Sequence, residues 1–409
     1  MLAFAGPRKR GLRAFWLLSI LLLSVAAGSA QGYQVFDGPV EISQSDLSTY
    51  DQTIYISDTW KFKVGDNIDW AAPDLDDTDW QKTSTYLSSS ELPFIDWEGI
   101  GWFRLHVKVD SSLVDYPLAL LIEQHHGASE IYLDGELLYS LGEVSIFEED
   151  FVPYRDSRPR PIQFDDTTEH VLAVRYANHD APEFNEYGFT SGFRFLIGDL
   201  NYHINATIDR LQTTPLNLML YGGGLMAFTI IHFLLFVFYP TEKRNLYFAV
   251  FTGLLATITY TMMESSFAES PLMAISYYRF NLIAWVVTVI YALRFTYSLF
   301  YKKPPIQFWI FAAVGSAVAI ATWFNAAGLE LYRELFLLLT MGEILRVLLV
   351  SFFRGKEGVW IIGTGLACFV GGILYTVLVN MEMVSGDPVN GNLVGSVLLI
   401  FSMSVYLSR

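Results

Sequence analysis

The sequence contains a single cysteine, Cys368, in 409 residues. An intrachain disulfide and a cysteine-rich zinc site are therefore excluded, and any exported part must stand on its packed core alone. Charge is also scarce, at 17% of residues against 52% hydrophobic, with a mean hydropathy of +0.34. That balance is too apolar for an ordinary soluble protein of this size. Positive charge is most outnumbered in residues 31–210, where 11 Lys/Arg face 33 Asp/Glu, whereas residues 211–409 hold 11 against 9. Such an acidic excess argues against nucleic acid and anionic membrane surfaces as partners of the first region, since both repel it. A DNA-binding protein or a soluble cytosolic enzyme is excluded, and two regions built for two solvents remain. No nucleotide loop or nucleophile triad stands out. Gly222-Gly223-Gly224 leads into apolar sequence rather than a phosphate-binding helix, and no cofactor is expected.

Residues 1–30 read as an export leader. Arg8, Lys9, Arg10 and Arg13 precede a short apolar stretch, Phe15 to Ala27, which ends in Gly28-Ser29-Ala30. Residues 31–210 then show short segments of period-two alternation, including Leu105–Val109, Ala119–Glu123, Ser129–Leu133, Val171–Tyr176 and Phe193–Ile197, with turns such as Asp134-Gly135 between them. Many short strands with little helical periodicity predict an extracytoplasmic β-sandwich of jelly-roll type.

The order of motifs in this region carries a resemblance. Trp60, Asp77-Thr78-Asp79-Trp80, Gly99-Ile100-Gly101-Trp102-Phe103-Arg104, Glu130-Ile131-Tyr132-Leu133-Asp134-Gly135 and His170-Val171-Leu172-Ala173-Val174-Arg175 follow one another. This series resembles the N-terminal, galactose-binding-like module of family 2 glycoside hydrolases, with Phe103 in place of the usual Tyr and Asp134 in place of the usual Asn. In that family the module is not the catalytic one, and the catalytic barrel has no counterpart here, so no enzyme activity is expected. Carboxylate pairs such as Glu148-Glu149 and Asp165-Asp166 read as solvated acidic surface. A ligand face for a carbohydrate or other small molecule is sought instead at Trp97, which offers a stacking ring, and at Arg155, Arg158 and Arg160, which offer forked donors; Asn178, His179 and Glu183 occupy a loop near the same strand end. Trp60, Trp80 and Trp102 read as core aromatics. His125-His126 is not taken as a metal pair, because neighbouring strand residues point to opposite faces.

Residues 211–409 resolve into seven apolar runs, 216–239, 246–263, 278–300, 306–324, 334–353, 359–379 and 391–407, each near the ~20 residues that cross a bilayer. Lys243 and Arg244, Lys302 and Lys303, and Arg354 and Lys356 fall in alternate loops, with Arg409 after the last run. Glu264, Glu269, Glu330, Glu382 and Asp387 fall in the others. The positive-inside rule then predicts an inner-membrane protein with the acidic domain outside and the C-terminus in the cytoplasm. Three charges sit within runs: Arg294 in the third, and Glu343 and Arg346 three apart on one face of the fifth. Intramembrane charge is expensive, so two readings stand equally: a coupling role for the three, or local pairing of Glu343 with Arg346 while Arg294 snorkels toward the cytoplasmic side.

An exported β-domain followed by seven spans resembles the bacterial seven-transmembrane receptors with diverse intracellular signalling modules. Tyr239-Pro240-Thr241-Glu242-Lys243-Arg244-Asn245-Leu246-Tyr247 resembles their first cytoplasmic turn. The resemblance implies an extracytoplasmic ligand, a lipid environment and a cytoplasmic effector. No kinase, cyclase or phosphatase follows Ser408-Arg409, so the effector is expected either in a longer form or as a separate protein. A homodimer is compatible with such receptors, although no residue here argues for one. A transporter with a capture domain and a carbohydrate-binding surface scaffold are the other readings.

Overall fold

The computed structural model describes residues 39–407 apart from 48–50, 59, 89–91, 188, 327, 356–357 and 381–387. The leader read in residues 1–30, together with Lys356, Glu382, Asp387 and Arg409, lies outside the described residues.

The first part is a β-sandwich. One sheet has the order β4-β3-β5-β10-β7-β8, from Gln81–Thr83, Trp60–Val64, Ile100–Val109, Glu169–Ala177, Ala128–Leu133 and Glu136–Leu141, and β1 (Val40–Ile42) adds to β5 in parallel. The second sheet is antiparallel, ordered β2-β11-β6-β9 from Thr53–Tyr55, Arg194–Asp199, Leu118–Glu123 and Arg160–Ile162. Alternation sends one side-chain set of each strand inward. Trp60, Phe103, Leu105, Val107, Leu120, Ile122, Val174, Phe195 and Ile197 meet there in one core.

Both outer faces are partly covered as well. Against the larger sheet, a loop carrying a 3-10 turn (Ile68–Ala71) packs Trp70 and Trp80 over Trp102, Tyr132 and Ala173. Against the smaller sheet, the outward residues Ala119, Leu121 and Leu196 are buried, and here the chain turns straight from β11 into a helix. Asp199 caps it, accepting from the Tyr202 N–H at 2.7 Å. A side chain at Gly198 would collide with the His203 ring, so the close approach of helix to sheet depends on glycine at that position.

A short helix, α1 (Ala181–Glu186), lies in the loop between β10 and β11. The helix after β11, α2 (Leu200–Phe238), has 39 residues and is therefore about 58 Å long, roughly twice the ~30 Å of a hydrocarbon core. Its start is fixed at the far end of β11, where the Leu200 N–H reaches the Pro117 carbonyl. By Arg210, which donates to Ser157 Oγ at 2.7 Å, it has returned to the other end of the sandwich. The first three turns thus lie along the sandwich, which accounts for a helix that begins sixteen residues before its apolar run. Pro215 inside it removes one backbone hydrogen bond near the point where the apolar run begins.

Helices α3 (Lys243–Phe267), α4 (Pro271–Phe300), α5 (Ile306–Phe324) and α6 (Glu330–Phe353) follow, then α7 (Val359–Asn380) and α8 (Pro388–Leu407). Among the described residues, five helices, α2 to α6, are long and apolar enough to cross a membrane. Their shared core gathers Phe248, Leu293, Phe295, Tyr297, Ile344 and Val347.

Candidate functional site at the junction of sandwich and helices

Strand register places four loops at one end of the sandwich. β5 starts opposite the end of β10 (Ile100 with Ala177), β7 starts there too (Ala128 with Ala177), and β8 ends there (Leu141 with Ser129). The loops before β5, between β6 and β7, after β8 and after β10 therefore crowd together, and two of them reach the helices.

The first contact is Arg155. Its backbone N–H donates to the Glu269 carbonyl at 3.1 Å and its Nη1 to the Ser265 carbonyl at 2.6 Å. These carbonyls belong to the last turn of α3 and the α3–α4 turn, where unpaired carbonyls carry the negative end of the helix dipole and a cation is favoured. Burial and the neighbouring Arg210 lower the Arg155 pKa. Removing this side chain strands the Ser265 carbonyl. Arg155→Ala should therefore weaken the junction by about 1.5–3 kcal/mol, seen as faster amide hydrogen exchange at 265–269 in the full chain, while the mostly exposed Arg158→Ala leaves those amides unchanged.

The second contact is an aromatic plug. Pro182 opens α1, and the turn that follows presents Phe184, Tyr187 and Phe189, which pack with Ile275 and Leu282 of α4 and with Ala326 after α5. Phe189 meets Tyr278 edge-on at 4.7 Å. Arg279 lies between Tyr187 and Trp323, its guanidinium 4.5 and 4.7 Å from their ring centres, with Glu183 at 3.9 Å. Behind the plug, the His126 ring lies tilted against Phe184 at 4.7 Å and its Nδ1 bonds the Thr190 carbonyl, while His125 bonds the Tyr154 carbonyl and Ser129 Oγ. Burial pushes both imidazoles down to about 4.

The residues chosen for a ligand face do gather at this end, yet their polar atoms are engaged within the protein. Trp97 Nε1 donates to the Asn178 carbonyl, and the ring packs beside Phe62 and Tyr176. Asn178 donates to the Ser191 carbonyl, and His179 Nε2 bonds the Ser145 carbonyl. Arg158 and Arg160 both grip Asp156, at 2.9 and 2.7 Å. Arg155 and Glu183 face the helices. An open cleft of about 560 Å³ lies at the opposite end of the sandwich, lined by Glu41, Ser43, Asp46, Lys108 and Asp110, and holds none of them. Among the described residues no group of His, Cys, Asp or Glu is arranged to hold a metal ion.

Within the helices, Glu343 and Arg346 pair at 2.6 Å, and Glu343 also accepts from the Tyr297 hydroxyl, which ties α6 to α4. Arg294 donates to the Tyr247 hydroxyl at 2.8 Å and lies over the Tyr247 and Phe308 rings, linking α4 to α3 and α5. Sequence spacing indicated the Glu343–Arg346 pair but not these aromatic partners. It also missed Arg279, whose role depends on a loop more than ninety residues earlier.

No protein-family model matches the chain, and no curated protein does. Solved structures that resemble part of it include the Bacteroides uniformis β-glucuronidase 2 (21% identity, 36% of this chain and 18% of that one, TM-score 0.28). Others are a glycosyl hydrolase family 2 member from Bacteroides cellulosilyticus (18% identity, 36% and 21%, TM-score 0.26) and a β-glucuronidase from Ruminococcus gnavus (10% identity, 37% and 30%, TM-score 0.26). The chain spans between 18% and 30% of the length of these relatives.

Proposed function

We propose that the protein is a bacterial membrane receptor. In this reading a jelly-roll sandwich outside the inner membrane binds a small molecule, a carbohydrate by first preference. Seven transmembrane helices, α7 and α8 completing the count, pass the event to a cytoplasmic effector. The observation that carries it is the double attachment of the sandwich. α2 runs unbroken from the outer face of the smaller sheet into its apolar run, and the Arg155 and Phe184–Phe189 contacts hold the ends of α3, α4 and α5. A ligand that binds one arrangement of these contacts better than another shifts the helix populations by that difference in affinity.

The test uses the full chain in nanodiscs and a panel of mono- and oligosaccharides. A sugar that raises the melting temperature identifies the ligand. A spin-label distance between the ends of α4 and α6 remote from the sandwich should then change with that sugar. Glu343→Gln is expected to retain the melting shift and lose the distance change, because the amide cannot hold both Arg346 and Tyr297 as the carboxylate does. Equal distance changes in both proteins would remove Glu343 from the mechanism. Sugar uptake into sealed vesicles would replace the receptor by a transporter.

A further inference from the structure

The segment after β8 leaves three large apolar side chains uncovered. Glu143 and Val152 exchange backbone hydrogen bonds of 2.9 and 3.1 Å, closing a tip over 144–151 on which Ile146, Phe147 and the flanking Val152 are about half exposed. β8 runs toward the junction, so this tip extends past the sheet on the side of the helices. We infer that it is an interfacial anchor, with Ile146, Phe147 and Val152 entering the headgroup layer of the bilayer beside the outer ends of α3 and α4. The inference rests on the membrane reading of the helices.

Three residues after Val152, Arg155 is bonded to the Ser265 and Glu269 carbonyls. Three residues of chain span at most about 10 Å, so the root of the tip lies within that distance of the helix ends. The tip is also held in shape. Ser145 Oγ accepts from the Phe147 N–H, the Ser145 carbonyl bonds His179, and Phe151 meets the His179 ring edge-on at 5.2 Å. Gly142, at φ +76°, has no room for a side chain, since a Cβ would collide with the Val152 carbonyl. A segment fixed so firmly would otherwise present its apolar side chains to water. The next residues, Glu148, Glu149 and Asp150, form an acidic 3-10 turn. Their charge selects neutral, zwitterionic headgroups over anionic ones, and they remain in headgroup water while the apolar residues go deeper.

Because Cys368 is the only cysteine, a Cys368→Ser background gives single-label variants of the full chain. Nitroxides at Phe147→Cys, Ile146→Cys, Glu149→Cys and, midway along α5, Val314→Cys are compared in phosphatidylcholine nanodiscs by accessibility to oxygen and to a water-soluble nickel chelate. The expected result is an oxygen-to-nickel ratio at 146 and 147 several-fold above that at 149 and approaching that at 314. A water-like ratio at 146 and 147 beside a lipid-like one at 314 overturns the anchor and leaves the membrane reading intact. A water-like ratio at 314 overturns both. Dipolar broadening between labels at 147 overturns the anchor in favour of contact with a second copy.

Discussion

Asp77→Ala is expected to destabilise the sandwich by about 3–5 kcal/mol, the cost of leaving one member of a buried ion pair alone. Asp77 accepts from Lys61 Nζ at 2.5 Å, Arg104 Nε at 2.8 Å and His106 Nε2 at 2.9 Å. Arg104 is fully buried and spends Nη1 on the Trp70 and Ala72 carbonyls. One guanidinium thus holds both the carboxylate and the turn that brings Trp70 and Trp80 onto the outer face of the larger sheet. Without Asp77 that cation would have no counter-charge in a site closed to water, and the tryptophan cover would loosen. Burial is the largest influence on the Asp77 carboxyl and pushes its pKa up, but the three donors outweigh it and hold it down to about 2. The folded value is lower than the unfolded one. The contribution is therefore complete above about pH 4 and fades as pH falls toward 2. Thermal unfolding of the full chain measures the loss. Asp79→Ala, which among the described residues gives up an ion pair with the half-exposed Lys63 at 3.7 Å, should stay within about 0.5 kcal/mol of the parent. Asp77→Ala with Arg104→Met should recover much of the loss, since an apolar replacement removes the stranded charge. A parent-like melting temperature for Asp77→Ala alone would show that Arg104 finds another partner.

The same cluster shows how far sequence reading reached. Alternation located the strands containing Leu120, Ile131 and Val174, because a half-buried strand writes period two into its own residues. Trp80, Trp102 and Arg104 stood out as motif members, and Trp60, Trp80 and Trp102 are packed aromatics. That Arg104 closes on Asp77 was not legible, since the partners are 27 residues apart and belong to different elements. The first three turns of α2 were not legible for another reason. Asn201, His203, Asn205, Asp209 and Arg210 dilute hydropathy in a stretch that starts against the smaller sheet. For the ligand face, sequence identified loops at one strand end. Whether Arg155 turns to a sugar or to a helix terminus depends on how two separately folded layers meet, which no local pattern records. Glu343 and Arg346 were accessible because a helix places residues three apart side by side.

Acidification from pH 6.5 to 4 should destabilise the junction through His125 and His126. His125 gives its Nδ1 proton to the Tyr154 carbonyl at 2.6 Å, which leaves Nε2 to accept from Ser129 Oγ at 3.0 Å. A second proton would face that hydroxyl in a fully enclosed site. His126 is enclosed by Phe184 and Phe189, with Arg155 and His125 adding repulsion to the desolvation that dominates its shift. Both folded values are about 4, below the ordinary 6.5, so the unfolded chain takes up protons first. Their stabilisation is complete above pH 6.5 and falls with descending pH until about 4, by at most about 3 kcal/mol for each residue at 1.36 kcal/mol per unit. His170 works in the opposite sense: burial lowers its pKa, but Asp134 and Asp166 outweigh this and raise it, which offsets part of the loss. The Asp77 window lies lower, so the two transitions separate on a plot of melting temperature against pH. His126→Phe, which retains the aromatic packing without a titrating nitrogen, should roughly halve the slope between 6.5 and 4.5, the remainder being that of His125. Because His126 supports Phe184 and Phe189, and these meet Ile275 and Tyr278, hydrogen exchange at the start of α4 should quicken in the same pH range. A flat parent curve would mean that water reaches these imidazoles, and that the aromatic plug is looser than its packing indicates.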